Sequence, residues 1–147
     1  MMMEKTMLRF FGSTTMGLHI FKEYQKKASD ENLNKVFKEL YQKLKSHQQA
    51  IKNQLEKLGI DEEPMKISQT LAIKMEKLKI KFAEDDFDLV KLAIKAINIG
   101  SIGIMNILHN NPEIPESFKE TAKSILLDYD SITKKLKTYA INNGETS

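Results

Sequence analysis

Apolar residues recur on a helical repeat through most of the chain. Leu33, Phe37, Leu40, Leu44, His47, Ile51, Gln54 and Leu58 follow a 4-3-4-3 rhythm, and Phe37, Tyr41, Leu44, Gln48, Ile51, Leu55 and Leu58 form a second row beside it. Two adjacent rows of this period make a wide stripe, as on a helix that faces a bundle core. Ser29 or Asp30 can cap the start and Gly59 can supply a left-handed stop, so a helix is predicted over 30–58. The rhythm returns at Phe118, Ala122, Ile125, Tyr129, Ile132, Leu136 and Tyr139, with Pro115 suited to the first turn and Asn143-Gly144 to the end. A first helix is predicted over 4–28. Between them, Pro64 opens a helix that reaches Lys81, Ala83-Glu84-Asp85-Asp86 offers a break and a new cap, and a further segment covers 87–109. That third region is either one long helix kinked near 83–86 or two helices.

Two segments depart from the amphipathic pattern. Phe10 to Phe21 and Ala96 to Leu108 contain no Asp, Glu, Lys or Arg, in a chain where 29% of residues are charged. Each carries two glycines, Gly12 and Gly17 in the first and Gly100 and Gly103 in the second. A glycine inside a helix costs roughly 1 kcal/mol against alanine, which a helix tolerates where another element must come close. These four glycines are therefore the expected helix-packing or interface positions. A helix without a charged face also needs cover on its far side. A second copy of the chain is the simplest cover, so a homodimer is expected, with a protein partner as the other choice.

The two halves resemble each other. Phe37-Lys38-Glu39 recurs as Phe118-Lys119-Glu120, and at that offset Leu44 matches Ile125, Ile51 matches Ile132, Leu55 matches Leu136 and His47 matches Asp128. Either the chain is an internal duplication of two helical hairpins, 1–60 and 64–143, or helical sequence is matching itself by chance. Neither hairpin can bury its stripe alone, so the expectation is one domain over 1–147, all-α, an antiparallel four-helix bundle.

Composition narrows the function classes. The chain has 147 residues, no cysteine and no tryptophan, with Lys+Arg 23 against Asp+Glu 20. Without cysteine there is no disulfide framework, thiolate metal site or thiol nucleophile, and a reducing, cytoplasmic setting is expected. Arg9 is the sole arginine. Bidentate readers of phosphate and guanine rely on arginine, so the excess lysine is read as a solvated surface and no nucleic acid is expected. The neutral segments are shorter than the ~20 residues that span a bilayer, and the N-terminal run lacks a small-residue cleavage site. Neither export nor a membrane partner is expected.

The order of these features resembles a group of uncharacterised bacterial four-helix-bundle proteins with a ferritin-like fold. The residues that carry the resemblance are Ser13-Thr14-Thr15-Met16-Gly17, Gln54-Leu55-Glu56-Lys57-Leu58-Gly59, Ile73-Lys74-Met75-Glu76-Lys77-Leu78 and Ile99-Gly100-Ser101-Ile102-Gly103-Ile104. The resemblance implies a ferritin-like fold and brings no activity with it. Such bundles often hold a di-iron centre, built from a glutamate on each of two helices and Glu-x-x-His on each of the other two. Here the residues three before His19, His47 and His109 are Met16, Leu44 and Asn106. No Glu-x-x-His exists, so no cofactor and no conventional metal site are expected, and the protein is read as non-catalytic. The alternative is a metal- or ligand-binding enzyme with a degenerate site near His47 and Asp128, joined by His19. Its structural counterpart is a hydrogen-bonded histidine at the bundle edge.

Overall fold

The computed structural model describes residues 2–143. These form five helices: α1 (Met2–Lys27), α2 (Glu31–Lys57), α3 (Ile67–Lys81), α4 (Asp86–Asn110) and α5 (Glu116–Asn142). The fold is all-α, and no strand occurs among the described residues.

The ends of the helices follow local chemistry. Asp30 caps α2, its carboxylate accepting from the backbone N–H groups of Asn32 and Leu33. Gly59 takes φ +70° just beyond α2, a conformation that costs glycine nothing. Asp85 caps α4 by accepting from the Asp88 N–H. The Glu84 N–H in turn donates to the Asp88 carboxylate, and this bond is the chief reason that carboxyl is held below its ordinary range. Residues 64–109 are thus two helices, not one. Pro64 belongs to an irregular approach and the helix starts only at Ile67, and Pro115 is the cap residue of α5 rather than part of its first turn. The expected closing glycine, Gly144, lies outside the described residues.

Long-range contacts give the helix directions. Gln54 reaches Ser117 and Thr121, His47 reaches Asp128 and Glu39 reaches Lys135, so α2 and α5 run antiparallel. Thr6 meets Asn111 while Ser29 and Asp30 meet Asp86, so α1 and α4 run antiparallel. The α1–α2 and α4–α5 hairpins therefore lie side by side, touching through α1 with α4 and α2 with α5. Helix α3 is the crossover that joins them. It runs parallel to α1, with Gln69 over Gly12 at one end and the Lys81 carbonyl beside Lys27 at the other. This corrects the expected second hairpin, which begins at 86 and not at 64. The Asp86 carboxylate completes the connection by accepting from the Ser29 N–H at 3.0 Å and the Asp30 N–H at 2.8 Å, tying the start of α4 to the α1–α2 turn.

The core lies between α1, α2, α4 and α5. Phe21, Tyr24 and Phe37 stack in series, with ring centroids 5.5 and 5.4 Å apart, and Phe10 meets Phe118 edge-on. Leu33, Leu40, Leu44, Ile51, Leu55, Ile125, Ile132 and Leu136 are fully buried around them. Both predicted rows of α2 and the row of α5 contribute.

Candidate functional site

The first neutral segment is internal. Of residues 10–21 only His19 is exposed, because α2, α4 and α3 surround α1. Its polar groups are satisfied within the helix: the buried Thr14 hydroxyl donates to the Phe10 carbonyl and the Thr15 hydroxyl to the Phe11 carbonyl. Thr15 also accepts from the Gln48 side chain on α2. The expected cover for this segment is supplied by the chain itself.

Three of the four predicted glycines make room for side chains. A Cβ at Gly17 would lie 3.1 Å from the Tyr129 hydroxyl, and a Cβ at Gly100 would lie 3.5 Å from the same ring. The phenol of Tyr129 therefore passes between α1 and α4 through a gap that two glycines leave. Burial alone holds that hydroxyl above the ordinary tyrosine range. Gly12 leaves space for the Gln69 amide, which would sit 2.8 Å from an added Cβ. Gly103 is different, since nothing lies within 4 Å of its Cβ position. It does not sit at a helix contact within this chain.

His47 and Asp128 come together. His47 Nε2 donates to Asp128 Oδ2 across 2.6 Å, and both side chains are about one-fifth exposed. The other carboxylate oxygen faces Lys43 Nζ at 3.7 Å. Lys43 also approaches Glu39 at 3.8 Å, and Glu39 accepts from Lys135 at 2.7 Å. Charges thus alternate along the α2–α5 seam from Lys135 through Glu39 and Lys43 to Asp128. This arrangement can hold two helices in register, and it leaves Nδ1 as the one ring nitrogen outside the bond. His19 is exposed on α1 and His109 is exposed at the end of α4; no contact links either to the pair. Among the described residues no three His, Asp or Glu side chains gather as a metal ion would need.

Further features lie away from the His47–Asp128 pair. A cleft of about 380 Å³ between α1, α2 and the approach to α3 is lined by Arg9, Lys5 and Lys66, and by Glu62 and Glu63, which offset those cations. Tyr24, fully buried on α1, donates to Glu76 of α3 at 2.9 Å, and burial first and Glu76 second hold its phenol above the ordinary range. Two apolar faces stay open. On α4, Ile99, Ile102 and Met105 point outward and are half or more exposed. On α3, Ile67, Leu71, Met75 and Leu78, with the cap residue Phe82, are each more than half exposed. By length and composition α4 is also apolar enough to cross a membrane; here it packs between α1 and α5.

Comparison with protein-family models, curated proteins and solved structures gives no match to this chain.

Proposed function

We propose that this chain is a non-catalytic four-helix bundle of ferritin-like topology that works by association, first of all with a second copy of itself. Two antiparallel hairpins joined by one long crossover support the topology, since that connection distinguishes ferritin-like bundles from simple up-down ones. The observation that carries the functional reading is the outer face of α4. Residues 96–108 have no charge, and Ile99 remains 73% exposed with Ile102 and Met105 beside it. A contiguous apolar patch of this kind marks an interaction surface. An antiparallel two-fold pairing centred on Ile102 would set Ile99 of one copy against Met105 of the other and keep Lys95 away from its own mate. The four glycines divide accordingly: Gly12, Gly17 and Gly100 serve internal packing, and Gly103 borders the open face. A degenerate metal or ligand site at His47 and Asp128 has less behind it, because the carboxylate already serves the histidine and Lys43.

Sedimentation of the purified chain and of Ile102→Glu tests the reading. The expected result is a dimer for the parent and a monomer with an unchanged helical spectrum for the variant. A parent chain that remains monomeric at high concentration overturns it.

A further inference from the structure

Helix α3 has a mixed inward face and an apolar outward one. Gln69, Ile73, Glu76 and Ile80, at spacings of 4, 3 and 4, face the body, where Ile73 and Ile80 are buried and Glu76 meets Tyr24. Ile67, Leu71, Met75, Leu78 and Phe82, at spacings of 4, 4, 3 and 4, lie half a turn away and face outward, Ile67 being 88% exposed. A helix with one buried row needs no second one for folding. Burying five large apolar side chains instead suits contact with something outside the chain.

The charge beside the outward row decides what. At helical spacing Lys74 and Lys81 flank it on one side and Lys79 on the other, and none of the three has a carboxylate partner among the described residues. Glu76, the one acidic residue of α3, is turned inward to the Tyr24 hydroxyl, so the outer half of the helix is purely cationic. A second copy fits poorly, since two-fold pairing on this row would set Lys74 against its own mate. The row is a ridge on the outermost helix and not a groove, so it presents apolar side chains to a flat surface better than it receives a peptide. An apolar ridge with lysines on both flanks matches an anionic bilayer: the apolar groups enter the headgroup–acyl boundary while the lysine stems reach back to the headgroups. Lysine in place of arginine suits attraction to a diffuse negative surface without bidentate recognition of one phosphate.

We propose that the outward face of α3, Ile67-Leu71-Met75-Leu78-Phe82 with Lys74, Lys79 and Lys81, docks on anionic lipid surfaces, with α3 lying in the interface plane. This surface is separate from the α4 face, and the proposal does not rest on self-association.

The test is co-sedimentation of the full chain with vesicles of phosphatidylcholine alone and of phosphatidylcholine carrying about one-third phosphatidylglycerol. The expected result is binding to the anionic vesicles that is at least about tenfold stronger than to the neutral ones and falls steeply with salt. Leu71→Glu/Leu78→Glu and, separately, Lys74→Glu/Lys79→Glu/Lys81→Glu should each lower it by at least about tenfold. All five positions are exposed, so the variants are expected to fold, which thermal melting checks. Ile102→Glu should bind vesicles as the parent does, which separates this proposal from dimer formation. Because the chain has no tryptophan, Leu71→Trp adds a single reporter whose emission should shift to the blue on anionic vesicles alone. Failure of the parent to bind anionic vesicles overturns the proposal and turns the face over to an acidic protein partner. Equal binding by the two α3 charge variants and the parent overturns it as well.

Discussion

The Tyr129 hydroxyl lies 3.1 Å from the point beside Gly17 where any other residue would place its Cβ, closer than side chains ordinarily pack. The glycines of the two neutral segments are therefore not equivalent. Gly17→Leu is expected to overpack the gap and destabilise the protein by about 1–3 kcal/mol. Gly103→Ala meets open space and gains helix propensity, so it is expected to stabilise by up to about 1 kcal/mol. Chemical denaturation of both variants checks the pair. Equal changes in the same direction would show that the Tyr129 contact has no influence.

Buried phenols give the protein an alkaline limit. Tyr24 and Tyr129 have raised pKa values in the folded chain, while in the unfolded chain they ionise near pH 10. The contribution to stability is therefore complete below about pH 10 and declines as pH rises further, because the unfolded state alone releases the protons. Each phenol should cost on the order of 1 kcal/mol of stability per pH unit in that range. Tyr129→Phe is expected to leave stability at pH 7 nearly unchanged and to move the alkaline midpoint upward. The check is tyrosinate absorbance followed together with the helical signal. Ionisation of Tyr129 well before the helices melt would contradict the expectation.

Asp86 ties the start of α4 to the turn between α1 and α2 through two backbone N–H groups. Asp86→Ala removes a charge-assisted acceptor from both and should destabilise by about 1.5–3 kcal/mol. Asp86→Asn keeps one acceptor and should fall between. Faster hydrogen exchange at the Ser29 and Asp30 amides, measured by NMR, is the local signature. Unchanged protection at those amides would mean that the turn holds itself.

Much of this architecture was legible in the sequence because burial and period coincide in α2 and α5. Leu44, Ile51 and Leu55, and Ile125, Ile132 and Leu136, sit in the predicted rows and in the core. The 81-residue offset was informative in a way that repetition alone does not explain. Antiparallel α2 and α5 bring together Glu39 with Lys135, His47 with Asp128, and Gln54 with Thr121, at separations of 96, 81 and 67 residues. Separation falls steadily along the seam, so an offset of 81 selects His47 and Asp128 as the place where matching positions meet. Helix α3 was harder. Its outward row holds five large apolar residues and its inward row only Ile73 and Ile80 beside Gln69 and Glu76, so periodicity favours the face that the body leaves open. The same difficulty hid the cover of α1: neutrality in residues 10–21 pointed outward to a second copy, whereas the chain's own α3 lies there. The outward face of α3 leaves no such mark in the sequence, because a short apolar ridge flanked by lysines has neither the ~20 apolar residues of a span nor a neutral stretch.

The crossover also has a consequence at the level of the gene. The two hairpins meet directly through α1 with α4 and α2 with α5, so contacts other than the covalent strap also hold them together. A chain divided in the exposed approach to α3, between Asp61 and Pro64, would carry α1–α2 on one polypeptide and α3–α5 on the other. Complementary stripes and the Asp86 tie would remain to reunite them. Co-expression of the two pieces, one of them tagged, is expected to yield a stoichiometric complex on purification. The reunited complex would then offer a reporter system in which each hairpin can be mutated, labelled or exchanged by itself.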